Sequence, residues 1–283
     1  MTRLRRFAAS AWRARVGRFA ASAWQARVGR FAAFARHGGL LVLFVLCSAP
    51  AYAQELFSRF DFRFDGQYLT SSDPRFNWSF NFGADTDVVD YGRGRATFRA
   101  NYEALAGEEF RRFDVNQGNY LIEGSATLRL TRVEIAVVWH HMSRHVSDRP
   151  KRFPIDWNQL AGRMLATWTR GVTVAAWETD VRATVTKAYV DYTWEVESTA
   201  RVRTPLRGRF SGVGVGNLRI VGVDGSRDRG TQVAGRLEGG VRLNGRAAAA
   251  ELFAGIERRL DPYQLEFGTS SWFLAGFRLT SVP

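Results

Sequence analysis

Downstream of residue 53 the chain has no cysteine; Cys47 is the only one among 283 residues. That excludes disulfides and thiolate metal sites from everything after it. Also missing beyond Gln54 is any apolar run long enough for a membrane helix, which takes about 20 residues. Acidic residues are missing from residues 1–39, which hold nine arginines. Their removal changes the charge balance: 40 basic and 27 acidic residues give +13, whereas 31 minus 27 leaves +4. The basic surplus is thus largely a property of the first 39 residues, and no nucleic-acid partner is inferred from it.

What is present begins with repetition. Arg6–Gly17 recurs as Arg18–Gly29 with a single change, Arg13 to Gln25, and a third partial copy starts at Arg30. An apolar run at residues 40–49 follows, then Ala51-Tyr52-Ala53. The run is too short to span a bilayer, and small residues at Ala51 and Ala53 match an export-signal cleavage site. Residues 1–53 therefore read as a basic, repeat-containing leader plus signal peptide, cleaved after Ala53. Leu46 precedes Cys47 where a lipoprotein signal has a small residue, so lipidation is not expected.

From Gln54 to Pro283 apolar and polar residues alternate. Phe60, Phe62 and Phe64 interleave with Asp61, Arg63 and Asp65; Val190, Tyr192, Trp194 and Val196 interleave with Asp191, Thr193, Glu195 and Glu197. Period two means β-strand. The predicted strands run roughly 10–15 residues, longer than the usual 5–6 of soluble proteins, with aromatics near their ends. The expected fold is all-β, an up-and-down antiparallel transmembrane barrel of about twelve strands at residues 54–283. The strands fall at approximately 57–69, 76–89, 94–106, 119–130, 132–145, 158–169, 172–184, 188–203, 207–223, 230–243, 246–259 and 263–281. Short links near 90–93, 131, 170–171, 204–206 and 244–245 mark the periplasmic end, and longer ones the outer end. The inward set carries both signs (Arg99, Glu123, Arg129, Glu195, Arg236 and Glu238 among them), as a lumen of structural ion pairs would.

Residues 133–145 stand apart. Val133, Ile135, Val137 and Trp139 are apolar, and the same phase continues as His141, Ser143 and His145. This phase faces lipid; His140, Met142 and Arg144 face inward. The next strand's outward set includes Asn158, so His141, Ser143 and Asn158 are expected on one external patch. A serine nucleophile needs a base in reach and a third group to hold that base. Here Ser143 would be the nucleophile, His141 the base and Asn158 the orienter, with Asp156 or Asp148 as alternatives. The competing readings are a rim in which Arg144, Arg149, Lys151 and Arg152 meet lipopolysaccharide phosphates, and a metal held by His140, His141 and His145.

The segment His141-Met142-Ser143 with Asp156-Trp157-Asn158 resembles outer membrane phospholipase A, a twelve-stranded barrel with a His-x-Ser pair on its outer wall and an Asn on the neighbouring strand. It is also similar to lipid A deacylases, and His141, Ser143, His145 and Asp148 match the Tyr-His-x-Ser-Ser-His-x-Gly-Asp segment of an uncharacterised outer-membrane barrel family. Arg144 departs from the His-x-Ser-Asn continuation of both hydrolase patterns. The resemblance implies a lipid esterase, with calcium a cofactor only if the chain is phospholipase-like; otherwise none is expected. The expected role is a non-catalytic one in the outer membrane of a diderm bacterium, with lipid esterase and small-solute porin as alternatives. Expected partners are outer-membrane lipids, lipopolysaccharide and the barrel-assembly machinery, for which the terminal aromatic, Phe277, is displaced inward.

Overall fold

A computed structural model describes residues 54–146, 153–263 and 265–281. The leader and signal readings, and Asp148, Arg149, Lys151 and Arg152, lie outside the described residues. Thirteen strand segments run in chain order: β1 (Glu55–Leu56), β2 (Phe60–Leu69), β3 (Trp78–Asp90), β4 (Arg95–Gly107), β5 (Asp114–Arg129), β6 (Val133–Val146), β7 (Asp156–Arg170), β8 (Thr173–Ala188), β9 (Tyr192–Pro205), β10 (Phe210–Val223), β11 (Gln232–Asn244), β12 (Ala248–Leu260) and β13 (Thr269–Ser281). From β2 onward every strand pairs antiparallel with its chain neighbours, and β13 returns to β2. The result is a closed barrel of twelve strands, as expected. The short β1 continues the line of β2 along β3, through Glu55↔Asp90 and Leu56↔Val89.

The two faces of this sheet decide its solvent. Val137, Trp168, Leu237, Leu252, Ile256 and Phe273 are exposed on the outside, whereas Asp65, Glu123, Asp180, Glu195, Glu251 and Arg278 are buried inside. A soluble sandwich would show the opposite assignment, apolar in and charged out. An apolar outer band around a polar interior is the surface of a membrane-spanning barrel. Length agrees: the 13 residues of β3 extend roughly 43 Å at about 3.3 Å each, enough to cross a ~30 Å hydrocarbon core at a 45° tilt. Aromatic pairs stand on the outer wall where girdles do, with ring centroids 5.2 Å apart for Tyr68–Trp78 and Phe82–Tyr102 and 4.7 Å for Tyr102–Tyr120.

Several strand ends differ from the sequence reading, each for a local reason. The last strand starts at Thr269, not 263, because Asp261 takes a φ of 45° and turns the chain into a loop. Phe267, inside the expected strand 263–281, lies in this loop instead and packs against Tyr189. The ninth segment starts at Tyr192 rather than 188, after Tyr189 with φ 69°. The β7–β8 ladder shifts by one residue near its outer end, where Asn158 pairs with Thr186 but Gln159 with Thr184. Such a bulge advances one strand by one residue.

Inside, guanidiniums and carboxylates interlock. Glu123 accepts from Arg163 at 2.7 Å, Arg163 reaches Asp180 at 2.6 Å, and Arg182 joins Asp180, Glu195 and Glu197. A second group centres on Glu251, with Arg201, Arg242 and Arg278 around it. The inward charges read from the sequence thus sit in ion pairs. Toward the long-loop end two apolar clusters take over: Leu69, Phe76, Leu105, Phe253, Tyr263, Trp272 and Leu274 form one, and Ile155, Trp157, Val190, Tyr192, Val221, Ala234 and Leu260 the other. Both clusters are buried.

One loop contact gives a pH dependence. Arg75 bonds Asp73 at 2.7 Å and Glu266 at 2.7 Å, clasping the β2–β3 loop to the β12–β13 loop. The hydrogen bond from Arg75 holds both carboxyls below their ordinary range. A depressed folded pKa contributes stability that is present above the unfolded value, about 4, and is lost as pH falls through the folded value. Amide exchange in residues 70–77 and 261–268 is expected to be slow at neutral pH and faster, after correction for intrinsic rates, below pH ~4. Arg75→Gln should show the faster exchange at every pH.

Candidate functional site on the outer wall

The site is built by β6 and β7. In the β6–β7 ladder His141 lies opposite Asn158 and Ser143 opposite Asp156. Alternation sends His140 and Arg144 inward, where both are buried, and sends Ile135, Val137 and Trp139 outward. His141, Ser143 and His145 share that outward phase, so the patch lies on the external wall at the long-loop end.

Two hydrogen-bonded pairs result. His141 Nδ1 donates to Asn158 Oδ1 at 2.9 Å, and Asn158 Nδ2 donates to Thr186 Oγ1 at 2.9 Å on β8. Ser143 Oγ lies 3.2 Å from His145 Nε2. Aromatic neighbours flank both imidazoles: Trp139 stacks near His141 at 6.0 Å, and Tyr120 meets His145 edge-on at 5.1 Å. With its Nδ1 proton engaged by Asn158, His141 keeps Nε2 as a lone-pair acceptor. This is the tautomer a general base needs.

The structure thus brings His141 to Asn158, and Ser143 to a different histidine from the one expected. His145 was legible as a neighbour, because residues two apart in one strand share a face. Thr186 was not, since its place beside Asn158 depends on the β7–β8 bulge. Asp156 occupies the register position opposite Ser143 and is half-buried.

Of the cations that the sequence grouped at the rim, Arg144 is the one among the described residues. It points inward, donates to the Asp261 carbonyl at 2.8 Å and lies 5.3 Å from the centre of the Trp157 ring. The three histidines proposed for a metal are also divided. His140 faces the lumen and pairs with Glu123 at 3.2 Å, while His141 and His145 face out. Among the described residues no group of three metal-ligating side chains comes together.

No protein-family model and no curated protein matches this chain. Solved structures with a similar course include LpxR from Salmonella typhimurium, at 8% identity, covering 79% of this chain and 100% of that one, with a TM-score of 0.46. The Acinetobacter baumannii outer membrane protein Omp33 is similar at 8% identity, over 79% of this chain and 97% of that one, TM-score 0.39. A bacterial polysaccharide outer membrane secretin is similar at 12% identity, over 80% of this chain and 99% of that one, TM-score 0.42.

Proposed function

We propose that this protein resides in the outer membrane of a diderm bacterium, conducts no solute, and acts at its outer wall in a non-catalytic envelope role. The observation that supports this most is the occupied lumen. Arginine–carboxylate pairs reach between non-neighbouring strands, Arg201 on β9 to Glu251 on β12 and Arg259 on β12 to Glu103 on β4, and apolar clusters around Phe76 and Trp157 are buried toward the long-loop end. A conducting pore keeps a continuous wet path lined by charge. Lipids and lipopolysaccharide are the partners this wall would meet. Proteoliposomes carrying the refolded barrel should swell in small-sugar solutions no faster than protein-free liposomes. Swelling at porin rates would return the protein to the pore class.

A second reading, lipid acyl hydrolysis, is favoured by one specific feature, the Thr186–Asn158–His141 hydrogen-bond chain beside Ser143. In it an imidazole takes the Ser143 hydroxyl proton while Oγ bonds to the ester carbonyl carbon. Collapse breaks the ester C–O bond, the imidazole proton goes to the leaving alcohol, and water later releases the acyl group. Either His141, two residues along the same face, or His145, whose Nε2 lies 3.2 Å from Ser143 Oγ, would be the base. Under this reading the refolded wild type releases fatty acid from phospholipid or lipid A, and Ser143→Ala loses all release and all labelling by a serine-directed phosphonate. His145→Ala keeps activity if His141 is the base. A wild type that neither labels nor releases fatty acid leaves the non-catalytic reading in place.

A further inference from the structure

The short-turn end of the barrel carries a ring of cations. Arg93 lies in the β3–β4 turn, Arg132 in the β5–β6 turn and Arg170 at the β7–β8 turn. Arg207 and Arg209 lie in the β9–β10 turn and Arg246 in the β11–β12 turn. Every strand-to-strand turn at this end thus supplies at least one. The circle is interrupted between β13 and β2, which no turn joins. All six side chains are exposed, and among the described residues none of their guanidiniums meets a carboxylate or a carbonyl.

The carboxylates of that end are already taken. Asp87 holds Arg59 and Arg95, Asp90 holds Arg129, and Glu134 holds Arg95. Glu55 alone is left against the six arginines among the described residues. At the long-loop end, by contrast, Arg75 holds Glu266, Lys187 holds Asp224 and Arg229 holds Asp191.

Local geometry keeps the six at the edge of the barrel. Gly92, Gly171 and Gly208 take φ of 78°, 59° and 59°, the left-handed conformation that closes a tight turn. Arg93, Arg170, Arg207 and Arg209 are their chain neighbours. Beside them the wall is apolar and exposed, through Leu130, Trp168, Val172, Leu206, Phe210 and Leu243. Cations one to three residues past an apolar band stand at headgroup depth, and the arginine stem can lie along the band while its head reaches out. A guanidinium fork matches phosphate oxygens in geometry.

We propose that this rim binds net-anionic phospholipids of the periplasmic leaflet by their phosphates, holding an annulus of them around the barrel. A docked protein would need one sector of the rim, whereas the cations recur at turn after turn and face a partner that surrounds the barrel. A zwitterionic headgroup brings its own cation with each phosphate, so it leaves the arginine excess uncompensated. The inference rests on the outer-membrane reading and its periplasmic assignment of the short turns. It does not depend on whether the lumen conducts or Ser143 is catalytic.

The test uses the full refolded barrel in phosphatidylcholine bilayers with trace spin-labelled phosphatidylglycerol or phosphatidylcholine. Electron paramagnetic resonance separates lipid held at the wall from bulk lipid. At low salt the wild type should hold phosphatidylglycerol about fivefold more strongly than phosphatidylcholine, and the preference should shrink in ~1 M NaCl. Changing all six arginines to glutamine should bring the ratio near one while the barrel keeps its heat-dependent gel shift. The triple variant Arg132→Gln, Arg170→Gln, Arg207→Gln should fall between, and gives the answer if the sixfold variant does not refold. Arg258→Gln, an exposed cation at the other end, should keep the wild-type ratio. No preference in the wild type, or a preference that survives in both rim variants, would overturn the proposal. So would rim variants that keep the lipid preference but no longer sediment with purified murein sacculi, since the cations would then serve the cell wall.

Discussion

Glu251→Gln is expected to cost the barrel about 3–5 kcal/mol, the range for removing one partner of a buried ion pair. Glu251 has no solvent exposure and accepts from Arg201 at 2.6 Å, Arg242 at 2.8 Å and Arg278 at 2.9 Å. The amide is nearly isosteric, so packing is kept and the charge alone is lost. Arg201 and Arg242 then lose their carboxylate and Arg278 keeps only Glu238 and Asp65, so guanidinium charge is left under-neutralised inside the barrel. Urea titrations of the refolded barrel, followed by tryptophan fluorescence, should show the midpoint fall with little change in slope. The double variant with Arg201→Gln should recover part of the loss, because the removed cation is one of the three. A loss below about 1 kcal/mol would mean that water fills the lumen and screens the network.

Asp261→Ala should open the outer end. Asp261 is buried, takes a φ of 45°, and gathers the cap around itself. Its carboxylate accepts from Arg229 at 2.8 Å and 2.9 Å, from the Tyr192 hydroxyl at 2.5 Å and from the Gly268 amide at 2.8 Å, and its carbonyl accepts from Arg144. Arg229 in turn holds Asp191, so one residue ties the β8–β9, β10–β11 and β12–β13 connections together. Removing it leaves Arg229 half-partnered, Tyr192 without its acceptor, and an L-residue without polar help in a left-handed conformation. The expected loss is about 3 kcal/mol, concentrated in the cap. Proteolysis should begin at 224–231 and 261–268 while the strands resist. Asp261→Asn keeps the conformational preference and the size, and should lie between wild type and alanine. Equal protease resistance in all three would show that the cap is held by its apolar clusters alone.

The barrel was legible because its cause is local. Each strand states its two faces in its own alternation, and His141, Ser143 and His145 declare their outward phase by continuing from Val133 to Trp139. Twelve strands and their orientation follow from counting and from connection length. What was hidden depends on residues far apart in the chain. Arg201 meets Glu251 fifty residues on, and Arg144 meets Asp261 across 117. Any inward charge is compatible with many partners, so phase alone cannot choose them. The choice of His145 over His141 as the neighbour of Ser143 is a matter of rotamer, which alternation does not encode.

The most direct test of a barrel that works at its wall is single-channel recording of the refolded wild type in a planar bilayer at high salt. A closed lumen gives a flat current at moderate voltage, with steps emerging in Asp261→Ala as the cap loosens. Large, stable, wild-type conductance steps would contradict the non-conducting reading.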